Sequence, residues 1–551
     1  MKKIIFILGL AAVVLGTSCS DVLDLNPADR FSPATVWSTT TTADKYVIGL
    51  YSIFGANTEM RGGDAYASPR LSDAYSDILK STSWNQYNHN FNATLLQETA
   101  FNSNSAGAFE CWSSHYDRIR RENEFLRDAA EFGRKFGEDW LKIRIAEVRF
   151  CRAYAYFMLC RVYGGVILRT EVDGPEQNDK ARSTEEDCWG FIINELKELA
   201  PDLPLKWDSD NSGRATQKAA YGLLSRVALY AEKWDVAAQA ARDCATAEGN
   251  LDLSKNGYAK IFELGINSPE VLFAVEFKSS VIDHAYDAYV RPSGDTKELG
   301  KQVYSGFVPT SELVDSYEMA GDGGNFSWEK HGKDPYANRE PRFYATILYN
   351  GADWMGRKIE SFVGGKDGYK AYENAGAAGT TVTGYYLRKY LIDGDKTWVT
   401  SGSGQDWIVL RYAEVLLNKA EALAMENWNK NSAEALQALN DVRARVGLPA
   451  RATADKETFL EYVRHERKVE LAGEGFRYWD LRRWRLAEKV IDGQNVHGVK
   501  ISKQSDGSFT YEQVDADGGH KRIFYDRYYR FAIPLSERSN NSLCTNNDGW
   551  I

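Results

Sequence analysis

Two stretches of this chain interleave aromatic rings with short polar side chains. Residues 72–92 read SDAYSDILKSTSWNQYNHNFN and carry Asp73, Trp84, Gln86, Tyr87 and Asn88. Residues 281–307 carry Tyr286, Tyr289, Arg291, Tyr304 and Phe307. A sugar presents flat C–H faces and a rim of hydroxyls. Rings take the faces, and Asn, Asp, Gln and Arg take the hydroxyls through hydrogen bonds. Asp73, Trp84, Tyr87, Asn88, Tyr286, Tyr289 and Tyr304 are therefore the candidate ligand-binding residues. The same residue types also build cores, and both readings stand for Trp84. Trp328, Trp354 and Trp398 are weaker candidates of the same kind.

Motifs for covalent or metal chemistry are missing where their parts suggest them. His465-Glu466 is followed by Val469 where a zinc-binding H-E-x-x-H helix needs its second His. Gly402-Ser403-Gly404 lacks the spacing of a nucleophile elbow. Gly364-Gly365-Lys366 runs into Asp367 and lacks the Ser or Thr of a phosphate loop. No catalytic residue, metal ligand or cofactor is assigned. A glycosidase needs only two carboxylates at the right separation, so a surface glycoside hydrolase stays as an alternative.

The chain starts with Lys2-Lys3, an apolar run from Ile4 to Leu15, and then Leu15-Gly16-Thr17-Ser18-Cys19. A basic start and a short apolar core make an export signal. The small residues before Cys19 match a lipoprotein cleavage box, so residues 1–18 are expected to be removed and Cys19 to carry acyl chains. Cys111, Cys151, Cys160, Cys188, Cys244 and Cys544 form no C-x-x-C pair and read as small buried hydrophobes. With Lys+Arg 67 against Asp+Glu 77, the net charge of −10 argues against a nucleic-acid partner.

Helices must position the candidate residues. WLKIRIAEVRFCRAYAYFMLCRVY, residues 140–163, reads as a long helix stopped by Gly164-Gly165. Thr216 is placed to cap TQKAAYGLLSRVALYAEK, and a second Ala-spaced helix follows Trp234. Val409, Ala413, Leu416, Leu417, Ala420, Leu423 and Ala424 share one helix face. Leu436, Leu439, Val442 and Val446 share another that ends at Gly447 and Pro449, with Trp428 at the turn between them. Both helix–turn–helix units look like tetratricopeptide hairpins. Residues 55–108, 250–408 and 493–551 are rich in Gly, Asn, Asp, Ser and Tyr. The expected architecture is mainly α: a scaffold of tetratricopeptide-like hairpins, a large loop-rich face and little β. Residues 19–551 are expected to form one domain with segments 55–108 and 250–408 inserted.

Four motifs in order resemble the SusD/RagB family of outer-membrane nutrient-binding lipoproteins. They are AEVRFCRAYAYFMLCRVYGGV, LRYAEVLLNKAEALA with ALNDVRARVGLP, VRHERKVELAGEGFRYWDLRRW, and the closing YRFAIPLSERSNNSLCTNNDGW. The last has Asn547-Asp548-Gly549 where Asn-Pro-Gly is common. The resemblance implies a lipid-anchored protein at the outer membrane, facing the cell exterior. It also implies a SusC-like TonB-dependent β-barrel as partner, and a glycan as cargo. Peptide cargo, or a structural lid that binds little, are the other readings. An aromatic before the helix that starts WSSHY (Trp112–Tyr116) commonly stacks on sugar in such proteins, and Trp84 holds a comparable place. Glu466, Arg467, Glu470, Glu474, Arg477, Asp480, Arg482 and Arg483 alternate in sign at helical spacing and are expected to pair, with Trp479 and Trp484 in the core.

Overall fold

A computed structural model describes residues 32–60, 71–82, 101–174, 179–254, 256–371 and 380–550. Its scaffold is helical. The principal helices are α1 (Thr40–Leu50), α2 (Trp112–Phe132), α3 (Glu138–Tyr163), α4 (Glu185–Leu199), α5 (Gln217–Tyr230), α6 (Trp234–Thr246), α7 (Gly257–Leu264), α8 (Tyr286–Val290), α9 (Tyr412–Arg445), α10 (Lys456–Glu470) and α11 (Arg477–Arg483). From α2 to α6 each helix packs on its sequence neighbour, then α6 packs on α9 and α9 on α10. That stepwise packing is the hairpin scaffold expected from the sequence.

Helix α3 is the centre of this stack. From Cys151 to Tyr163 every residue except Arg161 is buried, as a helix apolar all round must be. It stops at Gly164, whose φ of 75° suits glycine. A Cβ there would also lie 2.7 Å from Cδ of Arg530. The Thr216 hydroxyl accepts from the Ala219 amide and caps α5. Only residues 231–233 separate α5 from α6, which faces it with buried Ala237, Ala238, Ala240, Ala241 and Cys244. In α9 the helical path breaks at Asn427 (φ −165°, ψ 93°). Trp428 follows, its indole N–H donating to the Ala454 carbonyl and its ring against Phe459.

One boundary differs from the sequence reading. Val409 lies on a strand, Trp407–Arg411, which pairs antiparallel with Val271–Val275. The helix starts only at Tyr412. Ile408 and Val409 favour a pleated backbone, and the three-and-four spacing simply runs on past the strand. Strands are few and short. Leu79–Ser81 (β1), Val271–Val275 (β2), Phe307–Pro309 (β3), Trp407–Arg411 (β4), His497–Lys503 (β5) and Phe509–Asp515 (β6) make three two-stranded sheets, β1–β3, β2–β4 and β5–β6, and two more pairs are only two residues long. The segment 250–408 also holds short helices, α7 and α8 among them.

The alternating charges pair as expected except Arg482, which donates to the Tyr529 carbonyl instead, and the network reaches well beyond their own segment. Arg342 donates to Glu340 (2.6 Å), Glu466 (2.5 Å) and Glu470 (2.9 Å). Arg411 reaches Glu270, Glu470 and Glu474. Arg443 bridges Glu318 and Glu466, Arg445 bridges Glu270 and Glu470, and Lys389 meets Glu474 at 2.9 Å. The side chains of these groups are essentially free of solvent. The three surrounding guanidinium groups hold the Glu470 carboxyl well below the usual carboxylate range against the opposing push of burial. A second knot ties Arg467 and Arg483 to Asp480, and Arg483 on to Glu421. Trp479 is core, whereas Trp484 is half-buried and donates its indole N–H to Glu421.

Candidate functional site

The two sequence stretches singled out above meet at one place. Strand β1 pairs antiparallel with β3, Leu79 opposite Pro309 and Ser81 opposite Phe307. The ladder continues beyond both strands: the Thr82 amide donates to the Gly306 carbonyl at 2.9 Å, and the Gly306 amide donates to the Tyr289 carbonyl at 2.6 Å. The Tyr304 amide donates to the Ala288 carbonyl at 2.7 Å. Thr82 is thus the last described residue before segment 83–100, and it is fixed one strand away from Tyr289 and Tyr304. A buried Lys80, 2.7 Å from Asp517, anchors β1 from behind.

Tyr289 and Tyr304 form a ring pair, centroids 4.8 Å apart and planes at 32°. Both are half-buried. They pack on a small apolar cluster of Ala288, Val303 and Trp398 that is separate from the main core. Trp398 is fully buried, so it supports the pair from below and does not form an open platform. Lys301 donates to the carbonyls of Trp398 (3.1 Å) and Val399 (2.7 Å). Gln302 is exposed beside it. The short stretch from Lys301 to Tyr304 therefore carries a cation, an amide and a ring. Sequence reading named only the ring; the polar pair just before Tyr304 was the available signal.

Arg291 holds this corner rigid. Its guanidinium lies 5.2 Å from the rings of both Trp354 and Trp398. It donates to Asp287 at 2.9 Å and to the carbonyls of Ile392 and Asp395. Trp354 donates its indole N–H to Asp295 and is fully buried. Trp328 is half-buried and donates to Asp315.

Two expected ligand residues lie elsewhere in role. Asp73 is fully buried. Its carboxylate accepts from the amides of Gly473 (2.9 Å), Gly475 (3.2 Å) and Arg477 (2.9 Å), and so fixes the loop that leads into α11. Burial raises its pKa while those three amides pull it back. Tyr286 is also fully buried, its hydroxyl donating to the Lys389 carbonyl at 3.0 Å. Neither has surface to offer a ligand in this conformation. Trp84, Tyr87 and Asn88 lie outside the described residues, as does Cys19. Among the described residues no group of three or more His, Cys, Asp and Glu is placed to hold a metal ion.

The family model described as "SusD family" matches residues 269–550. The chain belongs to the SusD family. A second model, described as "Starch-binding associating with outer membrane", matches residues 21–229. A SusD-like protein of Bacteroides ovatus is 25% identical over 547 residues, which covers 94% of this chain and 90% of that one. The crystal structure of a SusD-like protein from Bacteroides fragilis superposes with a TM-score of 0.80 at 26% identity, covering 94% of this chain and 99% of that one. A SusD-like carbohydrate binding protein from the same organism gives a TM-score of 0.76 at 24% identity, covering 92% and 99%. In this SusD-family chain the first model ends at the closing Trp550. Trp550 is buried and donates its indole N–H to the Arg530 carbonyl at 2.7 Å. Asn547, beside the departure from Asn-Pro-Gly, donates to the carbonyls of Tyr163 and Phe531.

Proposed function

We propose that this protein captures oligosaccharide at the cell surface and passes it to a SusC-like TonB-dependent barrel in the outer membrane. The observation that carries the reading is the Tyr289–Tyr304 pair, set one strand from the start of segment 83–100. That segment holds Trp84, Tyr87 and Asn88. Family membership, and the likeness to a SusD-like carbohydrate binding protein, support a sugar as the cargo. Lys301 and Gln302 join the proposed contact residues, and Asp73 and Tyr286 leave them.

Base–aromatic stacking is worth about 1–3 kcal/mol per contact, and sugar stacking on a ring is of similar order or lower. Calorimetry with a panel of neutral oligosaccharides should find a binder. Trp84→Ala and Tyr304→Ala should each weaken it roughly tenfold, since about 1.4 kcal/mol is a factor of ten. A Tyr304→Ala protein that melts as before and binds as before would sink this site. Binding with visible release of smaller sugars would favour the glycoside hydrolase alternative.

Delivery and anchoring are tested apart from binding. A β-barrel protein should co-purify from mild detergent extracts of outer membrane. Two or more acyl chains give stable anchoring, so Cys19→Ala should abolish metabolic fatty-acid labelling and release the protein from the membrane fraction.

A further inference from the structure

A second cavity, of about 800 Å3, shares no lining residue with the Tyr289–Tyr304 surface. Its size is within the range of small-molecule sites. It lies between α7, the helix Pro341–Thr346, residues 388–391 and the C-terminal end of α9. Tyr258, Phe262, Tyr344 and Tyr390 supply its aromatic lining.

Its charges are lopsided. The lining residues include five cations, Lys260, Arg339, Arg388, Lys389 and Arg445, against one carboxylate, Glu263. Three of the cations are matched. Lys260 pairs with Glu263 at the rim. Lys389 pairs with Glu474, and Arg445 with Glu270 and Glu470, all three acids standing behind the wall. Arg339 is satisfied differently: its guanidinium donates to the carbonyls of Val314, Tyr317 and Pro335 and lies against Phe326 and Phe343. Carbonyls take its two terminal nitrogens and leave its charge in place.

Arg388 is the exception that matters. It is half-buried, and its guanidinium donates to the Tyr344 carbonyl at 3.3 Å. Among the described residues no carboxylate lies within ion-pair distance of it. Two further donors on lining side chains lack partners among the described residues. Nε of Arg339 and Nε of Arg445 belong to lining side chains that are almost wholly buried, and neither has a hydrogen-bond partner among the described residues. Buried donors without partners are uncommon and call for an acceptor. In a chain of net charge −10, a concave site with spare guanidinium charge and spare donors is built for an anion.

We propose that this cavity is a second ligand site, which takes the acidic group of an anionic saccharide, with Arg388 as the cation that meets it. A uronate carboxylate and a sugar sulfate ester share the needed chemistry. Tyr344, the half-buried ring of the lining, would take the sugar ring. The saccharide half of the assignment rests on the proposed function; the anionic half rests on the cavity alone.

Calorimetry on the intact mature protein tests it with three probes: a galacturonate trisaccharide, a neutral galactose trisaccharide and glucose 6-sulfate. At least one acidic probe should bind, more weakly as salt rises. Arg388→Met should cut that affinity tenfold or more, Arg388→Lys should cut it less, and Tyr304→Ala should leave it unchanged. Galacturonate binding without glucose 6-sulfate binding names a carboxylate, and the reverse names a sulfate. The site is overturned if neither acidic probe binds, if the neutral trisaccharide competes equally for the same site, or if Arg388→Met retains full affinity. Loss of neutral-glycan binding in Tyr304→Ala with no acidic binding anywhere would keep the proposed function and remove this site. Melting curves check the fold of both Arg388 variants, and Arg388→Lys carries the test if Arg388→Met fails to fold.

Discussion

Glu122, on α2, is a fully buried carboxyl whose two oxygens accept no hydrogen bond among the described residues. Burial pushes it up to about 8, with only distant help from Arg152 and Arg118. The sign follows from where the proton sits. Between the ordinary value of 4.5 and about 8, the folded protein keeps the proton and the unfolded chain has lost it. Stability from this group is therefore full below 4.5 and falls as pH rises to 8. Glu122→Gln should flatten that decline and raise Tm at pH 8 to 9 by several degrees, with little change at pH 4. A melting series from pH 4 to 9 checks it; an unchanged slope would show that Glu122 is ionised when folded. Asp73 makes the opposite case, a carboxylate fully employed. Asp73→Ala strands three amides, those of buried Gly473 and Gly475 and of half-buried Arg477, and should cost roughly 3–5 kcal/mol, read by urea denaturation. Its amide partners lie 400 or more residues downstream. No local pattern around position 73 could distinguish that duty from sugar contact, so the amide pairing was not legible there. Tyr289 and Tyr304 stood out in the sequence as rings in a polar, aromatic-rich stretch, and the structure pairs them 4.8 Å apart.

At the scale of elements, the helices declared themselves. Thr216, Gly164, Trp428 and Gly447 mark ends or turns that local chemistry sets, so they read correctly from a single chain. The strand Trp407–Arg411 did not, because its partner Val271–Val275 lies some 130 residues earlier and its own apolar spacing continues the helix pattern. The pairing of β1 with β3 was likewise invisible, although it decides that two candidate stretches become one surface. Gly164 offers a direct test of the helix reading. An added Cβ meets both a left-handed backbone and the Arg530 side chain, whose guanidinium pairs with Glu185. Gly164→Ala should destabilise by roughly 1–3 kcal/mol, seen as a lower urea midpoint with an unchanged slope. An unaffected midpoint would mean that α3 can end elsewhere.

Taken as one molecule, the protein has an apolar core that runs from Val36 to Trp550 and, within it, a set of buried charges between Glu270 and Glu474. A buried pair adds little net stability over a hydrophobic replacement, but removing one partner costs about 3–5 kcal/mol because the other charge is left stranded. Arg411→Met should therefore lower the melting temperature sharply and remain damaging in high salt, since buried pairs are poorly screened. A double variant that also removes Glu474 should recover part of the loss. If Arg411→Met melts like the parent, the network is not closed in solution.

That network also says what a shortened product would be worth. Its members are contributed piecemeal along some two hundred residues, and the last, Glu474, comes after Arg342, Lys389, Arg411, Arg443 and Arg445 have all been laid down. A chain ending just before α10, after Arg445, would hold five cations in its interior with three of their six acids, Glu466, Glu470 and Glu474, still missing. Such a fragment has no half-way house in which to rest. It stays open to proteases, so only the completed chain is rewarded with a durable fold.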